Sequence, residues 1–364
     1  MSRLVTFGEI MTRFRTPGFK RIRQCMPGQM EVSFAGAEAN VAASVALFGG
    51  DASFATALPD NPIGDACIAF LKSFGVDVSR IQRLPNSRIG AYFIETGANQ
   101  RASTVVYDRA DSAVAVFPSG GYRWKETLEG AGWFHTTGIT LALSEQSAQA
   151  AIDAARTAKE SGLTVSCDLN FRSKLWRWGN GPHGKELARK TMPRLLEYVD
   201  VLIGNESDAD DVMGIRAGDS NVESGELDVA RYEDVAEQIV AAYPNIGKVA
   251  ITLRESLSAT HNRWGAMLYC ADERKARFFP SRNGVYEPLD IQVIVDRVGA
   301  GDSFSAALIF ALMDENLGVD PERSLAFAVS ASALCHSIDG DFNMVTRSEV
   351  EALAGGDASG RVKR

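Results

Sequence analysis

The segment Asp-Arg-Val-Gly-Ala-Gly-Asp-Ser-Phe at positions 296–304 sets two glycines and a carboxylate at a spacing suited to handling phosphate. An apolar run at 291–295 reads as a strand leading into it, and Phe304, Leu308, Ala311 and Leu312 give the residues that follow the apolar side of a helix. Gly299, Ala300, Gly301 and Asp302 therefore fall at a strand-to-helix turn. The glycines let the backbone turn tightly and present its N–H groups, and the unpaired donors of a helix start, with the helix dipole, attract an anion. A phosphoryl group in transfer gathers negative charge, which such donors stabilise. Asp302, in the same turn, can accept the proton of a hydroxyl as its oxygen attacks phosphorus. By themselves these four residues also fit a plain turn with Asp302 capping the helix.

The elements that must hold this turn alternate along the chain. Apolar runs at 4–10, 133–137, 164–168, 201–203 and 248–253 predict strands. Helical spacing predicts a helix at 37–48, where Val41, Val45 and Phe48 share a side and Gly49 and Gly50 stop the run, and another at 63–74 ahead of Gly75. Further helices are expected at 147–160, 187–198 and 235–243. Alternation at this spacing predicts βαβ units around a mostly parallel sheet. Residues 88–109 differ: two runs rich in β-branched and aromatic residues flank a turn-like 97–101, which predicts a hairpin, and 30–34 suggests one more strand. The polar, acidic stretch 214–228 reads as a surface loop, and the tail beyond Ala354 as frayed.

The bulk composition narrows the class. With 364 residues, 45% hydrophobic and 23% charged, the chain can bury a large core without disulfide or metal staples. A net charge of −8 argues against a nucleic-acid partner but leaves room for a small anionic ligand, since a few local arginines outweigh a modest global charge. Cys25, Cys67, Cys167, Cys270 and Cys335 are odd in number and widely spaced, which suits reduced thiols better than a zinc site or a disulfide framework. No N-terminal apolar run is long enough for a signal peptide or a membrane span, so a cytoplasmic protein without a membrane partner is expected.

Beyond physical pattern, DRVGAGDSF resembles the C-terminal signature DTxGAGD of the PfkB, or ribokinase-like, carbohydrate kinases, with Arg297 in place of the usual Thr. AGAEANVAASVALFGG resembles that family's glycine-rich sugar-binding segment and following helix, and LPDNPIGDACIAFLKSFGVDV the stretch after it. The resemblance spans about residues 3–350. It implies a kinase domain over 1–350, a C-terminal tail at 351–364, and a three-layer α/β/α fold with a central mostly parallel sheet. A small β-sheet lid, from segments of about 11–36 and 88–110, would close over the sugar and pair between the subunits of a homodimer. The implied reaction is transfer of the γ-phosphoryl group of MgATP to a sugar hydroxyl, with Asp302 as base and Gly299, Ala300 and Gly301 holding the charge.

The same resemblance assigns the ligands. In GNESD, Asn205 and Asp208 match an NxxE motif that organises Mg²⁺ and phosphate, with Asp where Glu is usual and Glu206 as the neighbouring candidate. Without the resemblance this is an acidic helix start. ITLRESLS at 251–258 resembles a strand and TLGxxG loop beside ATP: Thr252 and Leu253 match, Arg254 replaces the first Gly, and the second is absent. Arg254 then either holds a nucleotide phosphate or reaches solvent. Adenine is expected between this loop and residues 331–343, with Ser332 and Asn343 as contacts. On the sugar side, Gly36, Ala37, Glu38, Asn40, Tyr92, Tyr107, Arg109 and Arg172 resemble positions that line the acid-sugar site of 2-keto-3-deoxygluconate kinases. Asn40 and the Gly36 backbone can bond hydroxyls, and the arginines offer forks suited to a carboxylate. Alternatively, Arg109 pairs with Asp108 or Asp111, Arg172 contacts ATP phosphates, and the tyrosines only pack the hairpin. Arg13, Arg15 and Lys174 read as solvated surface cations. The expected activity is thus 2-keto-3-deoxygluconate phosphorylation. A fructokinase or other neutral-sugar kinase is the alternative within the class. A non-catalytic sugar sensor on the same fold is the alternative outside it, favoured by the missing loop glycines and disfavoured by the intact GAGD.

Overall fold

The central strands have both faces buried, and their side chains are divided residue by residue between two cores. Val5, Phe7, Val165, Cys167 and Leu202 pack with the helices Glu145–Glu160 and Val229–Ala242; Leu4, Trp133, Val201, Ile203 and Ala250 pack with Ala37–Leu47, Ala300–Met313 and Pro321–Cys335. That alternation, set by the strand period of two, makes a three-layer α/β/α sandwich. This computed structural model describes residues 2–216 and 229–357.

The large sheet has ten strands. Ile81–Leu84, Ala52–Pro59, Arg3–Phe7, Ala131–Thr137, Thr164–Asp168, Val201–Asn205 and Lys248–Ser258 lie side by side and parallel. His261–Cys270 returns antiparallel to Lys248–Ser258, and Lys275–Phe279 and Leu289–Ile291 pair with it in turn. A separate four-stranded sheet runs Glu31–Ala35, Met11–Arg15, Gly90–Glu95, Thr104–Asp108, and its last two strands are the expected hairpin, with Tyr92 opposite Tyr107.

Several boundaries differ from the sequence expectation for local reasons. The strand expected over 4–10 ends at Phe7. The helix expected over 187–198 is two, Lys185–Thr191 and Pro193–Leu196, because Pro193 has no N–H to continue the first. The apolar run 291–295 is strand only to Ile291; Val293 is 77% exposed, and irregular chain rather than a strand enters the glycine turn. The segment expected to form a loop after Leu253 stays in the sheet to Ser258, which places Arg254 within a strand. The helix Arg347–Ala354 crosses the expected domain limit at 350, and the acidic stretch expected as a loop lies, from 217 to 228, outside the described residues. All five cysteines are buried and free.

Candidate active site

The carboxyl ends of the parallel strands open into a cavity of about 620 Å³, roofed by the small sheet. Ligand crevices in open α/β sheets form at this end, because the strands stop and the helices begin there. Gly299 N-caps Ala300–Met313 with φ 85°, and a Cβ on it would sit 2.2 Å from the carbonyl oxygen of Asp341, so only glycine fits. The cap has no side chain to accept from the first-turn N–H groups, and Gly299, Ala300, Gly301 and Asp302 all line the cavity. Ser332 and Asn343 are not on its wall. The Ser332 hydroxyl donates to the Ala300 carbonyl at 2.6 Å, and the Asn343 amide donates to Ser303 Oγ at 2.5 Å and to the Ala331 carbonyl at 3.1 Å. They brace the turn from behind, off the cavity wall where the adenine contact was expected.

Asp302 receives a hydrogen bond at 2.6 Å from the Asn40 amide, whose oxygen accepts from Gly36 N–H at 3.3 Å. Desolvation pushes the Asp302 carboxyl above its ordinary range, against the pull of Asn40 and Arg172. A raised affinity for protons is what a general base needs. Gly36 admits the close approach of the chain at Glu9, whose carbonyl oxygen would lie 2.0 Å from a Cβ there. Beside it Glu38 is buried. Its Oε1 accepts from Thr137 N–H at 3.1 Å, Thr137 Oγ1 at 2.7 Å and Thr140 Oγ1 at 2.6 Å. Burial pushes its carboxyl up to about 7. Ala37, Tyr92 and Tyr107 also line the cavity.

Asn205 and Asp208 stand at the cavity and form a reciprocal capping box: the Asn205 side chain accepts from Asp208 N–H, and the carboxylate accepts from Asn205 N–H and Phe171 N–H, each 3.0–3.1 Å. The side chain of Glu206 lies outside the described ones. One carboxylate here escaped the sequence reading. Asp168 ends its strand 8% exposed on the cavity wall, accepting from Asn170 N–H at 3.1 Å and Ser305 Oγ at 3.2 Å. Burial, then the charges of Asp208 and Asp302, hold it well above the usual carboxylate range. Three buried carboxylates, all raised by desolvation and Asp168 also by the charges of Asp208 and Asp302, share Arg172 as the cation that lowers them and suit a hydrated divalent cation.

The arginines sort by partner. Arg109 lines the cavity but donates twice to Glu9, with its Nε at 2.8 Å, and does not pair with Asp108 or Asp111. Arg13, expected on the surface, is 2% exposed: it lies between Asp296 and Asp341, where Tyr92 also donates to Asp341 at 2.9 Å. Arg15 is likewise paired, with Glu31 and Asp339. The surface expectation failed because these partners lie up to 328 residues away in the chain. Arg172, Arg254 and Arg297 line the cavity without an ion pair among the described residues, and Thr252 beside them donates weakly to the Gly204 carbonyl at 3.4 Å.

A parallel α/β sandwich with a small roofing sheet, an anion-binding glycine turn and a buried carboxylate in it defines a phosphoryl-transferring enzyme acting on a small polar acceptor. The sequence pattern of the pfkB family carbohydrate kinases matches residues 1–256 and 267–344, and the chain belongs to that family: it is an ATP-dependent sugar kinase. It is 34% identical over 359 residues to the 2-dehydro-3-deoxygalactonokinase of Haloferax volcanii, covering 98% of each chain. It is 26% identical to the 2-dehydro-3-deoxygluconokinase of Thermoproteus tenax, covering 94% of this chain and 90% of that one. Among solved structures, the 2-dehydro-3-deoxygluconokinase of Thermotoga maritima superposes with a TM-score of 0.87 at 44% identity, over 98% of this chain and all of that one.

Proposed function

We propose that the sugar is a 2-keto-3-deoxy aldonic acid, 2-keto-3-deoxygluconate (also called 2-dehydro-3-deoxygluconate) before its galacto epimer. The observation that carries this is Arg172, an arginine on the cavity wall close enough to Asp302 to lower its proton affinity and without an ion pair among the described residues. A carboxylate on the acceptor sugar supplies the missing partner; a neutral hexose such as fructose does not. Relatives with this substrate in their names support the reading.

The acceptor hydroxyl lies against Asp302, Asn40 and the Gly36 backbone. As its oxygen forms a bond to the γ-phosphorus, the bond from phosphorus to the β-bridging oxygen breaks, ADP leaves, and Asp302 takes the hydroxyl proton. The N–H groups of Gly299 to Asp302 hold the transferring group. Asp168, Asp208 and Asn205 are the residues that would hold Mg²⁺ through its waters, and the ion supplies neutralisation of the donor's phosphates. Thr252 lies on the nucleotide side. A homodimer belongs to this reading: Val32 and Val106 stand 60% and 50% exposed beside the stacked Phe14 and Phe93 on the small sheet, apolar area a second copy would cover. So does a cytoplasmic location. No helix among the described residues is long and apolar enough to cross a membrane.

The test is ATP consumption over a panel of 2-keto-3-deoxygluconate, its galacto epimer and fructose, with the native protein and Asp302→Asn. The native enzyme should prefer the acids. Asp302→Asn should lose about two to four orders of magnitude in kcat, the usual range for a lost general base, with far less change in sugar binding. Preference for fructose would overturn the substrate; near-native turnover in the variant would overturn the base.

A further inference from the structure

Three guanidinium groups, Arg172, Arg254 and Arg297, share one stretch of the cavity wall, Arg172 within the charge of Asp168, Asp208 and Asp302 and Arg297 beside Asp296. Arg172 and Arg254 form no ion pair among the described residues. Arg297 has only neutral acceptors, the Ser258 carbonyl at 3.2 Å and Asn262 Oδ1 at 3.0 Å, and its Nε is buried without a partner. Their charges repel: Arg254 is shifted down by burial and by Arg172, and Arg297 by burial and by Arg254, partly offset by Asp296. Like charges held together cost free energy, and a bound anion recovers it.

The backbone shows which anion. Arg254 sits on Lys248–Ser258 opposite Trp264, and both side chains face the cavity. The hairpin tip is fixed at one end by Ala259 N–H donating to the Asn99 carbonyl at 2.7 Å and at the other by Arg297. Arg297 in turn is two residues before Gly299, so the pair stands beside the N–H groups of the anion-binding turn. Apart from Arg172, which takes the acid group, the residues placed against the sugar, Gly36, Asn40, Tyr92 and Tyr107, come from the small sheet and the start of the helix Ala37–Leu47, on other elements than Arg254 and Arg297. An anion reaching from the turn along Arg254 and Arg297 is therefore the polyphosphate of the donor, not the sugar.

We propose that Arg254 and Arg297 form a diphosphate clamp, two forked side chains that grip the β-phosphate of the donor and of the nucleoside diphosphate left after transfer. The inference rests on the kinase reading and deepens it. As the β–γ bond breaks, charge moves onto the β-phosphate oxygens, so a clamp there helps the leaving group as well as binding it.

Calorimetric binding of ATP, ADP, AMP and 2-keto-3-deoxygluconate to the full chain tests this. Arg254→Gln and Arg297→Gln should each weaken ATP and ADP by about 10- to 150-fold, the equivalent of one charge-assisted hydrogen-bonded pair. AMP, which has no β-phosphate, and the sugar acid should change by less than about twofold. Arg297→Lys, which keeps the charge and loses the fork, should fall between, and guards against a disturbed hairpin in Arg297→Gln. Unchanged ADP affinity in Arg254→Gln, or an equal loss for AMP or for the sugar acid, would overturn the clamp and leave the kinase reading standing. A native protein that binds neither ATP nor ADP would overturn both.

Discussion

The roof of the cavity and its floor use arginine in opposite ways. On the small-sheet side Arg13 is enclosed by Asp296 and Asp341, and Arg109 by Glu9. On the large-sheet side Arg172, Arg254 and Arg297 form no ion pair among the described residues. Arg13 ties the small sheet to the catalytic turn through its partners: Asp296 Oδ1 accepts from Val298 N–H at 3.1 Å, and the backbone of Asp341 abuts Gly299. The floor arginines are kept for something that arrives. A guanidinium in a pocket is thus not a ligand contact by residue type alone; the deciding feature is whether the protein has already supplied its anion.

The largest expected effect follows from removing a roof arginine. Arg13→Met leaves Asp341 buried without its counter-charge and Asp296 with only Arg15 Nη1, at 3.7 Å, and breaking one side of a buried ion pair costs about 3–5 kcal/mol. Urea unfolding should show that loss, and adding Asp341→Asn should restore part of it. A change under about 1 kcal/mol would mean the roof arginine is not committed to these partners, and the contrast between roof and floor would fail.

The second effect separates the two arginines that looked alike. Arg172→Leu should lower kcat/KM for 2-keto-3-deoxygluconate by about 10- to 150-fold and leave fructose much less affected. Arg109→Leu exposes Glu9 without its partner and should harm both sugars alike, with a drop in thermal stability. Equal losses for both sugars in Arg172→Leu would move that arginine from the sugar to the donor phosphates.

Their different legibility in the sequence has a physical cause. The glycine turn could be read from 296–304 because its chemistry is local: a helix start, two glycines and a carboxylate within one turn. The alternation of strands and helices could be read for the same reason. Glu9, Asp168 and Asp341 carried no such signal. Glu9 meets Arg109 from 100 residues away and Arg13 meets Asp341 from 328, and only the closed sheet brings them together. Asp168 did end a predicted strand, and the rule that ligands gather at the carboxyl ends of parallel strands would have singled it out. Ser332 and Asn343 show the reverse: positions expected on the cavity wall from sequence order are turned to its back, bonded to Ala300, Ser303 and Ala331.

The smallest effect concerns a group that belongs to neither side. Glu38 lies under the turn, its Oε1 held by Thr137 and Thr140, with Asp302 as the charge that adds to its burial. Its carboxyl is raised from 4.5 to about 7. Between those values the native protein keeps a proton that the unfolded chain has released, so raising the pH through this window favours unfolding. Below it both states hold the proton and the stability is fully present; above it neither does and the loss levels off. The expected fall between pH 5 and pH 8 is about 2 kcal/mol. Glu38→Gln keeps an oxygen for the threonines and has nothing to titrate, so it should match the native protein near pH 5 and exceed its stability near pH 8. Parallel stability curves for the two proteins would show that Glu38 is already ionised in the fold, with its charge met from the floor, and the separation of roof from floor would then not extend to the layer beneath the base.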